Sequence, residues 1–320
     1  MGDGPEPTLR ETGEFGVIDE LVRGRTQSLG VTVGPGDDAA VLDAPDGRVA
    51  VSTDMLVEGS HFRLDWSSPY QVGRKAIAQN AADIEAMGAR ATGFVVAFGA
   101  PRDTPTASVL ELADGMWAEA ARVGAGVVGG DLVASPHWVV SVTVLGDLGG
   151  RPPVLRSGAC PGSVIAVVGD LGRSAAGYAL LRNGIDDDRF EELRARHRTP
   201  QPPYGQGRAA ADAGAQAMTD VSDGLLADLG HLAVASGVVM DLRAAALRED
   251  LGAVAEASRV TDVDPWSLVL GGGEEHALVA CFPDHPPHGW RVIGAVRAGE
   301  PEVLVDGRKW NGPVGWQSYD

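Results

Sequence analysis

Apolar and polar positions along the chain switch between two periods, and the switches mark out elements. Short apolar runs at Val31–Val33 and Val49–Ser52 read as strands, each running into acidic residues. From Pro69 to Gly88, Val72, Ala76, Asn80, Asp83 and Met87 recur at steps of three or four, which predicts a helix. Thr104 to Gly124 repeats the pattern with Val109, Leu112, Met116, Ala120 and Val123. Val127–Val128 and Trp138–Leu145 then predict strands, the second with partial alternation. Gly149-Gly150-Arg151-Pro152-Pro153 is the densest Gly/Pro cluster between periodic regions, and predicts a boundary between domains of residues 1–149 and 150–320. Beyond it the pattern predicts a strand at Val164–Val168 and a helix at Ser174–Arg182, followed by a polar, proline-rich segment at Thr199–Tyr204. Helices on either side of Asp220–Gly224 and late strands at His276–Phe282 and Val292–Val296 complete the reading. The alternation of strands and helices predicts an α/β or α+β architecture.

Length agrees with two domains, since 320 residues suit a pair of about 150 each. The 44 glycines imply many tight turns and close backbone approaches. No apolar run approaches the roughly 18 residues that span a bilayer. Met1–Glu14 is polar and acidic, unlike a signal peptide, so the expected location is the cytoplasm. Cys160 and Cys281 are the only cysteines and lie outside any metal-like spacing, which suits a reducing compartment. A formal net charge of −18 is the wrong sign for a nucleic-acid binder, which gains affinity by neutralising phosphates. Most of these carboxylates are explained by solubility; the informative ones sit where solubility does not explain them.

Acid concentrates in short segments at apparent element ends or on a helix face: Gly36-Asp37-Asp38, Ser52-Thr53-Asp54, Asn80 with Asp83, Gly129-Gly130-Asp131, Asp220-Val221-Ser222-Asp223-Gly224 and Gly272-Gly273-Glu274-Glu275. Asp83 shares a helical stripe with apolar residues, where a carboxylate must be paired or must bind a metal. Singly, each segment is an ordinary turn or helix cap. Together, carboxylates repeatedly placed in apolar surroundings repel one another unless cations bind among them. Oxygen ligands with neither His nor Cys nearby select hard cations such as Mg²⁺, which keeps phosphates and waters as its other ligands. No G-x-x-x-x-G-K-S/T stretch occurs, so bound phosphates must be held through metal ions and isolated cations such as Arg156. Lys75, on a helix, defaults to a solvated lysine, and His276, His285 and His288 read as loop residues rather than metal ligands.

In this order the segments resemble the thiamine-monophosphate kinase family. The match includes Ser52-Thr53-Asp54-Met55-Leu56-Val57-Glu58-Gly59-Ser60-His61-Phe62, Arg74-Lys75-Ala76, Ala86-Met87-Gly88-Ala89, Arg156-Ser157-Gly158-Ala159, Asp220-Val221-Ser222-Asp223-Gly224-Leu225 and Gly315-Trp316, and spans nearly the whole chain. The resemblance implies two α/β domains of the aminoimidazole-ribotide-synthetase-like superfamily. It also implies N-terminal domains that pair into a dimer barrel, with ATP between the domains. The implied activity is that of a phosphotransferase with a phosphate group as acceptor: ATP-dependent phosphorylation of thiamine monophosphate to thiamine diphosphate, the last step of thiamine diphosphate biosynthesis. Asp38, Ser52, Thr53, Asp54, Asp83, Asp131, Asp220 and Asp223 match the family's magnesium positions, with Asp54, Asp131 and Asp223 the catalytic expectation. Gly130, Asp131, Arg156 and Ser222 match nucleotide contacts, and His61, Glu274 and Trp316 match contacts to thiamine monophosphate.

The acceptor of such a reaction is a phosphate monoester with a second pKa of about 6, already nucleophilic at neutral pH. The obstacle is bringing it against another anion, which metal ions on aspartates solve by neutralising and aligning both partners. Trp316 suits the aromatic, cationic thiamine rings by stacking. The chain departs from the family at Glu275-His276-Ala277, where Asp-Tyr-Glu is common, at Gln317-Ser318-Tyr319, and at Val123, near which the family often has an aromatic residue against adenine. Two other readings remain: another ATP-dependent synthetase of the superfamily, or a non-catalytic nucleotide-binding regulator. A selenophosphate synthetase carries a reactive cysteine near its N-terminus, whereas the first cysteine here is Cys160.

Overall fold

The structure, a computed structural model, describes residues 7–35 and 39–316. Asp38 therefore lies outside the described residues. The chain divides into two compact units, Met1–Ile84 with Ala91–Gly149, and Glu85–Arg90 with Gly150–Asp320.

The first unit opens with α1 (Leu9–Thr12) and α2 (Glu14–Val22), then a two-stranded ribbon of β1 (Val31–Val33) and β2 (Val41–Leu42). It continues through β3 (Ala50–Val57), α3 (Pro69–Ala86), β4 (Arg90–Ala100), α4 (Thr106–Val123), β5 (Val127–Ala134) and β6 (Val139–Asp147). The sheet order is β3-β6-β4-β5, with β3 and β6 antiparallel and β4 and β5 parallel. β6 buries Val140, Val142 and Val144 on one face, while its alternate residues are only half-buried. The opposite face leaves Val51, Met55, Val95 and Val133 exposed at 60%, 52%, 37% and 53%. α3 and α4 approach closely through Gly73, where a β-carbon would stand 2.0 Å from the carbonyl oxygen of Leu112.

The second unit runs β7 (Val164–Val168), α5 (Arg173–Arg182), α6 (Glu191–Arg198), α7 (Gln206–Asp212), β8 (Ala217–Asp220), α8 (Leu225–Ser236) and β9 (Val239–Leu242). α9 (Arg248–Thr261), α10 (Pro265–Gly271), β10 (Leu278–Phe282), β11 (Arg291–Arg297) and β12 (Glu302–Val305) follow. Its sheet has the order β12-β9-β11-β7-β10-β8, antiparallel except for β12 on β9. β10 is apolar throughout because both its faces are covered: Val279 and Cys281 join the core with α5, α8 and α10, and Leu278, Ala280 and Phe282 pack with Ala210 of α7. Among the described residues no helix is long and apolar enough to cross a membrane.

Several elements differ from the sequence reading. The strand expected at Val49–Ser52 extends to Val57, and that at Val127–Val128 extends to Ala134, so Asp54 and Asp131 lie within strands rather than at their ends. Strand β4 was not anticipated; its run Phe94-Val95-Val96-Ala97-Phe98 is apolar throughout rather than alternating, and is flanked by Gly93 and Gly99. Helices α7 and α8 lie on either side of Asp220–Gly224 as expected, but strand β8, which Asp220 ends, was not anticipated between them. Residues Glu85–Arg90, at the end of α3, belong to the second unit although they precede the Gly/Pro cluster by about 60 residues.

Candidate functional site

In the second unit, β8 delivers Asp220 to a loop that is wound around one carboxylate. Oδ2 of Asp228, in the first turn of α8, accepts the backbone N–H groups of Ser222, Asp223 and Gly224, each at 3.1 Å. This satisfies the N–H of the N-cap Gly224 and of the two loop residues before it, and places a carboxylate at the helix start. Burial and the neighbouring Asp220 nevertheless push the Asp228 carboxyl up to about 7. The chain after α10 runs alongside the loop, with Glu274 N–H donating to Ser222 O at 2.7 Å and His276 N–H to Val221 O at 2.9 Å. Gly273 is required there, since its β-carbon would lie 2.6 Å from Ser222 O. From the C-terminal end, Trp316 N–H donates to Asp223 O at 2.9 Å, and Ala227 N–H to Val314 O at 3.0 Å. Asp220, Ser222, Asp223, Glu274 and Trp316, spread over a hundred residues of sequence, are thus brought together.

Trp316 is 62% exposed, so its ring is open to a ligand. Arg156 is exposed, with its carbonyl accepting from Ser236 Oγ of α8 at 3.2 Å. Burial raises the Asp223 carboxyl above its usual range; His231 pulls it back, Asp220 pushes it up, and Arg156 and His276 pull it down. Glu274 Oε2 lies 3.3 Å from Nδ1 of the buried His197 on α6. Glu275 is buried, and its Oε1 accepts from Ser174 N–H and Ala175 N–H at 2.8 and 3.2 Å at the start of α5. Burial pushes its carboxyl up to about 8.

The first unit gathers a second set. Ser52 Oγ donates to Asp83 Oδ2 at 2.6 Å, and Asp54 N–H donates to Asn80 Oδ1 at 3.1 Å, so β3 and α3 share these groups. Asp83 is half-buried, and Asn80 Nδ2 is anchored on Ala76 O at 2.8 Å. Thr53 points to the other face of the sheet, where its hydroxyl donates to Val142 O at 2.9 Å and accepts from Thr143 Oγ1 at 3.2 Å. His61 is exposed, with Nδ1 accepting from Val57 N–H at 3.1 Å. Lys75 is not the solvated lysine that its helix suggested: it is 2% exposed, and its Nζ donates to His61 O at 2.9 Å. Asp131 does not join this set. It lies in β5, at the edge of the sheet opposite to β3, and is registered against exposed Ala97, whereas Asp54 is registered against buried Val142. Gly130 is fixed by sterics, because a β-carbon would lie 2.1 Å from Val96 O.

One expectation is corrected here: histidines do stand among the carboxylates. His276 Nδ1 is 3.1 Å from Asp220 Oδ2, and among the described residues Asp223, Asp228 and His231 offer ligand atoms within 4.8 Å of one another. Sequence reasoning passed over Asp228, His231 and His197. The available signal was the i, i+3 spacing of Asp228 and His231 on one helix face, one turn after the loop. The carboxylates of this set fit a divalent cation, since closely placed carboxylates whose ionisation burial opposes are relieved by a positive ion, and His231 adds a nitrogen donor beside them.

Comparisons with known proteins place the chain in a family. The family model "AIR synthase related protein, N-terminal domain" matches residues 36–148, and "AIR synthase related protein, C-terminal domain" matches residues 160–305. The chain belongs to the thiamine-monophosphate kinase family, a branch of these AIR-synthase-related proteins. It is 67% identical over 313 residues to the thiamine-monophosphate kinase of Mycobacterium tuberculosis H37Rv, covering 98% of this chain and 93% of that protein. The crystal structure of thiamine monophosphate kinase from Aquifex aeolicus superposes with a TM-score of 0.76 at 30% identity, covering 96% of this chain and all of that one at 100%. A solved complex of AaThiL with AMPPCP and TMP gives a TM-score of 0.77 at 30% identity, over 99% of this chain and 100% of that one.

Proposed function

We propose that the chain transfers the terminal phosphoryl group of ATP to thiamine monophosphate, giving thiamine diphosphate, with magnesium held on its aspartates. It is a kinase of its family. The observation that carries the site reading is the convergence of Glu274 and Trp316 on the Asp220–Gly224 loop, which joins proposed acceptor contacts to proposed metal ligands. His61, Glu274 and Trp316 are the residues proposed to contact thiamine monophosphate, Glu274 offering a carboxylate for its positive charge and Trp316 an exposed indole for its rings. Gly130, Asp131, Arg156 and Ser222 contact the nucleotide. Asp38, Ser52, Thr53, Asp54, Asp83, Asp131, Asp220 and Asp223 form the magnesium positions, and turnover depends most on Asp54, Asp131 and Asp223.

Magnesium, when bound, neutralises the phosphates and aligns them for direct in-line displacement. The chain's own residues orient the acceptor and hold the carboxylates in place. No strong base is required of them, because the acceptor phosphate is already ionised. Residues 1–149 serve ATP and magnesium binding and dimerisation, and residues 150–320 form the C-terminal α/β domain. Two copies associate through the open sheet face that carries Val51, Met55, Val95 and Val133, a reading supported by that apolar exposure and by the edge strands β3 and β5. The protein works in the cytoplasm.

Purified protein incubated with ATP, Mg²⁺ and thiamine monophosphate tests the assignment. Thiamine diphosphate, absent when Mg²⁺ is chelated, is the expected product. ATP binding without turnover would favour a regulator, and turnover only with a different acceptor would favour another synthetase of the superfamily.

A further inference from the structure

Asp220 and His276 come from segments 56 residues apart and meet side chain to side chain, with Nδ1 3.1 Å from Oδ2. Both residues are buried, at 3% and 5% exposure. The contact is assigned with Nδ1 as the donor and Oδ2 as the acceptor, the arrangement that leaves the other carboxylate oxygen available to a cation. The backbone that presents the imidazole is unusual. His276 has φ +53° and Glu274 has φ +61°, in the left-handed region that a β-carbon disfavours. The other non-glycine residues with positive φ among those described are Asp262 and Asp306, of a type that tolerates this conformation. At His276 the conformation is held from both sides: its N–H donates to Val221 O at 2.9 Å, and Val221 N–H donates to Ala277 O at 2.8 Å. The fold thus maintains a disfavoured backbone whose result is an imidazole set against one carboxylate oxygen at the end of β8.

We propose that His276 is a positioning residue for Asp220: it holds Oδ2 through Nδ1–H and so turns the other carboxylate oxygen toward a divalent cation. The inference rests on the reading of Asp220 as a magnesium ligand. A carboxylate tethered at one oxygen loses the rotation that a cation would otherwise have to arrest. Partners of this kind, behind the ligand itself, set metal affinity by about ten- to hundredfold. His276 need touch neither substrate nor metal to act in this way.

The test uses the full chain with Mg²⁺ titrated alone, read by calorimetry and by the rise in melting temperature. His276→Phe keeps an aromatic ring and lacks the donor. His276→Asn keeps a donor near the position of Nδ1, and His276→Gln places its amide one bond farther out. The proposal expects Phe and Gln to raise the Mg²⁺ half-saturation concentration about tenfold or more, and Asn to remain within about threefold of the parent. If Phe does not fold, the Asn and Gln pair decides alone. An unchanged titration in Phe or Gln, or an Asn variant displaced as far as the others, overturns the proposal. Asp220→Asn separates the two readings. If it titrates like the parent, the metal assignment of Asp220 falls and the inference with it. If it weakens Mg²⁺ binding while Phe and Gln do not, only the role of His276 falls.

Discussion

Ser52 Oγ donates a 2.6 Å hydrogen bond to Asp83 Oδ2, joining strand β3 to helix α3 through two of the residues assigned to magnesium. The bond fixes one oxygen of a half-buried carboxylate, as His276 fixes one of Asp220. Asp83→Asn is expected to cut turnover by orders of magnitude while leaving the circular dichroism spectrum intact. Ser52→Ala is expected to cost about 1 kcal/mol of stability and to raise the Mg²⁺ concentration needed for activity. Parent-like Mg²⁺ dependence in both variants would remove this pair from the metal site.

The acceptor contacts are separable from the metal sites. Glu274→Ala and Trp316→Ala should each lower kcat/KM for thiamine monophosphate by roughly ten- to hundredfold, the worth of a charge-assisted or stacking contact of about 1–3 kcal/mol. The KM for ATP should barely move. Steady-state kinetics with each substrate varied in turn checks this, and unaltered acceptor kinetics in both variants would unseat the assignment.

Glu275 gives a prediction about pH. Burial raises its carboxyl to about 8, far above the range of an unfolded glutamate, so the folded protein retains a proton that the unfolded chain releases. Its contribution to stability is therefore fully present below about pH 4 and is lost as pH rises toward 8, at up to roughly 1.4 kcal/mol per pH unit. Glu275→Gln, neutral at every pH, should gain in melting temperature relative to the parent as pH rises from 5 to 8. A difference independent of pH would show that the carboxyl is already ionised at the start of α5.

The open sheet face predicts assembly. Met55, on the edge strand β3, is 52% exposed on that face, and Met55→Glu should convert a sedimenting dimer into a monomer with its secondary structure retained. A parent protein that sediments as a monomer at all concentrations contradicts the dimer.

Much of this was legible in the sequence, for identifiable reasons. α4 was readable because it buries one stripe, α3 was readable from its apolar spacing although it is buried nearly all round, and β1, β6, β7 and β11 fell within a residue or two of their expected bounds. Asp220, Ser222 and Asp223 could be singled out as a candidate site because a carboxylate in an apolar context calls for a partner or a cation. What was not legible depended on contacts made at long range. The stripe through Asn80 and Asp83 did not reveal that strand β3 would supply their partners. His276, passed over as a loop residue, is buried against Asp220 by a left-handed backbone that no periodicity encodes. Asp131 matched the same family pattern as Asp54, yet the sheet order sets the two at opposite edges, a fact of topology rather than of local pattern.

The central claim is that ATP and thiamine monophosphate are the substrates of one magnesium-dependent transfer. Phosphorus NMR of the protein mixed with both substrates and Mg²⁺ follows every phosphate at once. The account predicts that ADP and thiamine diphosphate appear in equal amounts, without free phosphate, and that neither appears in excess chelator. Release of inorganic phosphate without thiamine diphosphate, or undiminished transfer in the presence of chelator, would contradict it.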